Sequence, residues 1–182
     1  MSNEQHDATT ASVSADATPG STPDSTADQG RFGVLVQPDL SYRRIIFDDA
    51  AARQLLASGG VEAEVEEAEA AFEQEGERYR ALYNAGAAAA GEEPNPIASM
   101  ARNTADTSNP DFLADPTRAI RGPVIFAARE GGNLGEGSID ALEQAIRALE
   151  NYRDDETGEY ELWHNAVVNR DGEASGEADQ SE

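Results

Sequence analysis

Among its 182 residues the chain has no cysteine and no lysine. The first absence excludes disulfide frameworks, thiolate zinc sites, iron–sulfur clusters and cysteine nucleophiles. The second excludes a phosphate-loop lysine, Schiff-base chemistry and lysine-dependent nuclease centres. Histidine occurs twice, at His6 and His164. Because His6 lies in a polar N-terminal stretch, a multi-histidine metal site is excluded, and a serine–histidine triad would have to use His164. No serine motif accompanies it. The expectation for His164 is a hydrogen-bonded or exposed histidine in a strand beside Trp163. Apolar runs are also short: Val124-Ile125-Phe126-Ala127-Ala128 is among the longest and has the size of a buried strand. The opening Met-Ser-Asn-Glu-Gln-His-Asp is polar and acidic, unlike a signal peptide. The expected location is the cytoplasm, with no membrane contact.

Acid dominates what is present. Thirty-six Asp and Glu residues face thirteen basic residues, all arginine, for a formal charge of −23. A nucleic-acid mimic needs acid on one face and can keep lysine elsewhere. Adaptation to molar salt replaces lysine throughout and spreads acid over the whole surface. At 1 M salt the Debye length is about 3 Å, so repulsion among carboxylates is largely screened. In dilute buffer the same repulsion acts against the compact state. Salt adaptation therefore accounts for the charge, which says little about partners. Direct nucleic-acid binding is disfavoured, since an acidic surface is repelled by every phosphate.

Residues 1–30 and 171–182 are polar, acidic and without aromatics, and are expected to be disordered tails. Residues 31–170 form a single α+β domain by this reading, with enough chain for one modest core. Its first elements are two β-rich runs, Phe32–Gln37 and Tyr42–Phe47, joined by the turn Pro38-Asp39-Leu40-Ser41. Asp48 or Asp49 caps a helix from Ala50 that Gly59-Gly60 stops. Two periods compete across 61–90. The alternation favours a strand near 61–66, a helical or irregular acidic excursion, and a strand near 79–84. Asn95-Pro96 starts a helix, with Asn as cap and Pro at the first position. Residues 103–118 read as loop, and 119–127 as a central strand with Pro123 near its beginning. Ser138 caps a helix to about Tyr152 whose buried stripe is Ile139, Leu142, Ile146 and Leu149. A turn at 155–158 leads to a final strand, Tyr160–Val168. The sum is a small mixed, mainly antiparallel sheet with two or three helices on one face, flanked by the tails.

Five pieces in this order carry a resemblance: Gly33-Val34-Leu35-Val36-Gln37-Pro38, Leu55-Leu56 leading to Gly59-Gly60-Val61-Glu62-Ala63, Tyr83-Asn84, Asn95-Pro96-Ile97-Ala98-Ser99, and Arg121-Gly122-Pro123-Val124-Ile125. Together, over about residues 32–128, the chain resembles domain of unknown function 3846, a family whose members recur in phages, plasmids and other mobile elements. It departs from that pattern by the acidic excursion near Glu66–Glu77 and a longer loop at 103–118. The resemblance implies a small α+β accessory domain and supports strands at Val61 and Tyr83. It brings no catalytic residues with it.

Other motifs have plain readings. Gly131-Gly132-Asn133-Leu134-Gly135-Glu136-Gly137 sits where phosphate loops sit, but it lacks their glycine spacing and Glu136 would repel phosphate. The Glu62–Glu77 run lacks the spacing of a calcium loop and reads as a solvated face. Capping explains Asp48-Asp49. Arg102, Arg118, Arg121 and Arg129 lie near the central elements and either balance carboxylates or converge on an anion. The candidate ligand-site residues are Asn95, Arg102 and Arg121, with no catalytic residue, metal or cofactor expected. Three functions follow: a non-enzymatic accessory or interaction domain with a protein partner, a small enzyme with an Asp/Glu/Arg site, and an acidic nucleic-acid mimic. The first is preferred. Circular dichroism across a potassium chloride series is expected to show the fold lost or swollen in dilute buffer. Full native ellipticity in millimolar salt would contradict salt adaptation.

Overall fold

The computed structural model describes residues 30–71, 78–102 and 115–174. The expected N-terminal tail to residue 29, the C-terminal tail from 175, the excursion over 72–77 and the loop over 103–114 lie outside the described residues.

Strands β1 (Arg31–Val36) and β2 (Tyr42–Phe47) form the expected antiparallel hairpin, with Arg31 opposite Phe47 and Val36 opposite Tyr42. In its turn the Gln37 amide donates to the Ser41 carbonyl (2.8 Å), and Asp39 accepts from the Ser41 hydroxyl (2.6 Å) and amide (2.9 Å). Helix α1 (Asp49–Leu55) follows, its first turn capped by Asp48, which accepts from the Ala51 amide at 2.7 Å. Gly59-Gly60 is not its stop. The helix ends at Leu55, and both glycines take positive φ (61° and 80°) in a two-residue turn between the bridged Ser58 and Val61. Only glycine adopts that pair of angles without steric cost.

The next strands are β3 (Val65–Ala71) and β4 (Arg78–Asn84), paired antiparallel from Val65↔Asn84 to Ala71↔Arg78. The expected strand at 61–66 thus begins four residues late, and its acidic continuation as far as Ala71 is strand rather than excursion. Cross-strand partners decide this. Arg78 meets Glu69 at 2.6 Å, Arg80 meets Glu67 at 3.3 Å, and the Tyr83 hydroxyl donates to Glu66 at 2.9 Å. Beyond them come β5 (Pro94–Asn95), α2 (Pro96–Arg102), a 3-10 turn (Pro116–Arg118), β6 (Ile120–Arg121) and β7 (Val124–Ala128). The expected continuous strand over 119–127 is split at Gly122-Pro123, as proline's missing donor favours. Two helices follow, α3 (Glu136–Asp155) and α4 (Thr157–Ala174).

The main sheet runs β2-β1-β7-β4-β3, and β5-β6 forms a small second sheet. Every pairing between these strands is antiparallel, so the fold is α+β as expected, with four α-helices among the described residues. Central β7 shows why its residues are so apolar: Val124, Ile125, Phe126 and Ala127 are all buried, alternately toward two cores. One core joins Val34, Val36, Tyr79, Ala81, Val124 and Phe126 to α2, α3 and α4. The other joins Leu35, Phe47, Leu82 and Ile125 to Ala52 and Leu56 at α1. Helices therefore cover both faces of the sheet, not one.

Helix α3 buries Ile139, Leu142, Ile146 and Leu149 as expected, with Ala141 and Ala145 beside them. Ser138 is not its cap. The helix starts at Glu136, after Gly135, because the preceding connection is pinned to the sheet: Asn133 Oδ1 accepts from the Phe32 amide (2.8 Å) and the Leu134 amide donates to the Phe32 carbonyl (3.0 Å). The turn at 155–158 shrinks to Glu156, whose amide donates to Tyr152 O at 2.8 Å. The final strand at 160–168 is wrong, since these residues are helical. Trp163 and Val167 are buried and Tyr160 is half-buried, a spacing of three and four that only a helix turns to one side. The helix also runs four residues past the expected boundary at 170.

Gly33 has no room for a side chain between the two strands that flank β1. A Cβ there would stand 2.7 Å from both the Phe126 carbonyl oxygen and the Phe47 ring. Gly33→Ala is expected to cost about 2 kcal/mol, the scale of overpacking in a filled core. Denaturant titration in molar salt reads this as a lower midpoint, and an unchanged midpoint would contradict the β1–β7 packing.

Candidate functional site

Asn95 lies where β5 runs into α2 and is fully buried. Its amide nitrogen donates to Val36 O (3.1 Å) and Gly122 O (3.0 Å), and its Oδ1 accepts from the Ala98 amide (3.2 Å). The Ser99 hydroxyl donates to Asn95 O (2.7 Å) and takes the Ile120 amide (3.0 Å). The expected cap is there, and the same side chain also ties together the end of β1, the β6–β7 bend and α2. Its hydrogen bonds are directed into the fold, as burial of an amide requires.

Arg102 and Arg118 form a reciprocal clasp. Arg102 Nη1 donates to Arg118 O (3.4 Å), and Arg118 Nη2 donates to Arg102 O (3.1 Å). Arg121 is 8% exposed. Its Nη1 donates to Glu92 O (3.0 Å) and its Nη2 to Val167 O (3.0 Å), strapping α4 to the chain before β5. Arg129 is elsewhere, in an open concavity with Glu67, Glu69, Arg80 and Glu130.

Beside Arg121 is a cleft of about 380 Å³ between the chain after β4, the 3-10 turn, β6 and the C-terminal half of α4. Tyr83, Asn84, Thr117, Arg121 and Arg170 supply its polar lining. Ala87, Ala88, Pro116, Ile120 and Val167 supply apolar walls. Neither Asn95 nor Arg102 reaches it. Its described lining contains two arginines and no carboxylate. Two other hollows mix both signs, one through Glu67, Glu69 and Glu130 with Arg80 and Arg129, the other through Asp49 and Glu67 with Arg31 and Arg53. A hollow of about 240 Å³ on the first hairpin, around Tyr42 and Arg43, is smaller.

Burial, and then the bond to Glu66, raise the Tyr83 phenol above its ordinary pKa, so it stays a donor to that carboxylate. Thr117 does the reverse for Asp115. Its hydroxyl (2.6 Å) and amide (2.9 Å) hold that carboxyl below its usual range, and the charges of Arg118 and Arg170 act in the same direction. Asn84 is tied by its own bonds to Ser58 Oγ (3.3 Å) and the Gly86 amide (2.9 Å). Arg170 makes no ion pair among the described residues.

His164 faces outward on α4, with Nε2 2.7 Å from Glu93 Oε2. Asp48 is spent on its cap, and Asp49 pairs with Arg31 at 3.0 Å. Among the described residues, no three His, Asp or Glu side chains stand where they would hold a metal ion. No helix there is long and apolar enough to cross a membrane.

Of the three candidate residues, Arg121 lies in the lining of this cleft, and Tyr83, Thr117 and Arg170, which line it too, were not among the candidates. These three come from separate parts of the chain, and no local spacing joins them. No protein-family model, curated protein or solved structure matches this chain.

Proposed function

We propose that this chain is a non-catalytic accessory or interaction domain, adapted to molar salt in the cytoplasm, that works by binding at the cleft beside Arg121. The observation that carries the reading is compositional and local at once. In a chain with thirty-six carboxylates, the described lining of this cleft holds two arginines and none of them. A concave site that combines apolar walls with a few converging polar groups is the ordinary form of a ligand pocket, and the volume of this cleft, about 380 Å³, falls within the usual range. The resemblance to domain of unknown function 3846 supports an accessory role and an origin in a mobile element.

The two other readings have less support. An enzyme with an Asp/Glu/Arg site calls for Asn95 and Arg102 to converge with a carboxylate in a pocket, yet both are engaged in holding the fold. A nucleic-acid mimic calls for acid gathered on one face. The described carboxylates lie along α1, β3, α3 and α4, on both sides of the sheet, and several are paired with arginine.

A thermal-shift screen of small molecules in molar potassium chloride tests the proposal, run on the wild type and on Ala88→Trp, which fills the cleft from an exposed position. Ligands are expected to raise the melting temperature of the wild type and not of the variant. Ligands that stabilise both alike, or a turnover that Arg170→Ala abolishes, would overturn it.

A further inference from the structure

We propose that two copies of this chain pair through the outer edge of β2, strand against strand and antiparallel, with a two-fold axis at Ile45. The surface shares no residue with the cleft. Strand β2 ends the sheet beyond β1. The hydrogen bonds on its inner side show which backbone groups are left over. At the turn the Gln37 amide donates to the Ser41 carbonyl, and at the far end of β1 the Phe32 amide and carbonyl are taken by Asn133 and Leu134. Phe32 faces Ile46 across the hairpin. Antiparallel alternation therefore points the amides and carbonyls of Tyr42, Arg44 and Ile46 outward, where no described residue meets them. Such a row of donors and acceptors fits one kind of occupant, another extended strand. Its side chains are open as well, with Ile46 73% exposed and Tyr42 39%. The opposite edge, β3, carries Glu66, Glu67 and Glu69, and a second β3 would bring its own carboxylates against them.

The charge pattern of β2 makes it complementary to itself. The strand reads Tyr42-Arg43-Arg44-Ile45-Ile46-Phe47, followed by Asp48 and Asp49. Arginines stand at one end and carboxylates just past the other, so a second β2 running antiparallel brings opposite signs together. Like charges directly opposite one another are destabilising. An axis at Arg43 or Arg44 would set that arginine against its own copy, and an axis at Ile46 would shorten the pairing. An axis at Ile45 pairs Arg43 to Phe47 of both strands. Ile45 then meets Ile45 of the second copy, Arg44 meets Ile46, and Arg43 meets Phe47, two residues short of Asp49. Arg44 brings its own counter-charge, since Glu136 and Glu143 stand 3.2 and 3.4 Å from its guanidinium. Every contact occurs twice, so the pairing closes at a dimer. Both copies are strongly acidic overall, so their approach depends on screening by salt.

Sedimentation equilibrium of the full chain in molar potassium chloride tests this. The mass is expected to rise from one chain toward two with protein concentration, and the dimer to tighten as salt is raised. Ile46→Pro removes an outward amide and an exposed side chain, so two intermolecular hydrogen bonds are lost by symmetry. It should weaken association at least about tenfold, with circular dichroism confirming the fold. The absence of cysteine allows a second reading. Ile45→Cys places two thiols on Cα atoms about 4.5 Å apart, within the span of a disulfide. Oxidation should link the Ile45→Cys chains faster than Arg44→Cys or Ile46→Cys. Faster linking through Arg44→Cys, or equal association of Ile46→Pro and the wild type, would overturn the pairing. A single-chain mass at every concentration would leave the edge to a strand of another protein and overturn the dimer.

Discussion

The architecture hangs on one buried amide. Asn95 joins three stretches far apart in sequence: the end of β1 at Val36, the bend at Gly122, and the first turn of α2 at Ala98. Each bond satisfies a backbone group that would otherwise be buried alone, at a cost of about 1–3 kcal/mol per group. Ser99 extends the junction to Ile120, and the β5–β6 pairing places Arg121 opposite Pro94. From there Arg121 reaches Val167 and seats α4. The cleft is the space left beside this chain of bonds, so its shape follows from a junction in which Asn95 never touches the cleft.

Arginine does two kinds of work around that frame. Arg31, Arg44, Arg78, Arg80, Arg147 and Arg153 pair with carboxylates at distances of 2.6–3.9 Å, mostly where water reaches them. Exposed pairs of this kind contribute about 0–1 kcal/mol each. Their value here lies in thinning the repulsion of an acidic surface, a task shared with salt. Arg102, Arg118 and Arg121 donate to backbone carbonyls, which a guanidinium does well because its donors point in fixed directions. Of these three, Arg121 lines the cleft.

What could be read from the sequence was what local chemistry decides. The first hairpin, the Asp48 cap, the Asn95-Pro96 helix start and the buried stripe of α3 each rest on residues within a few positions of one another. The α+β class follows from them. The failures lie where distant contacts decide. Acidic Glu66–Glu69 form a strand because Arg78, Arg80 and Tyr83 stand opposite. Tyr160–Val168 has strand-like composition, yet Tyr160, Trp163 and Val167 pack as a helix against a core that includes Leu149 and Ile97. The cleft gathers Tyr83, Thr117, Arg121 and Arg170, whose convergence no spacing along the chain reveals.

Hydrogen exchange in molar salt tests the Asn95 junction most directly. The Ala98 and Ile120 amides, which donate to Asn95 Oδ1 and Ser99 Oγ, should exchange only by global unfolding, in the same slow class as the amides of β7. Exchange of these two amides well before those of Ile125 and Phe126 would show that the junction opens on its own, and that something else holds the fold together.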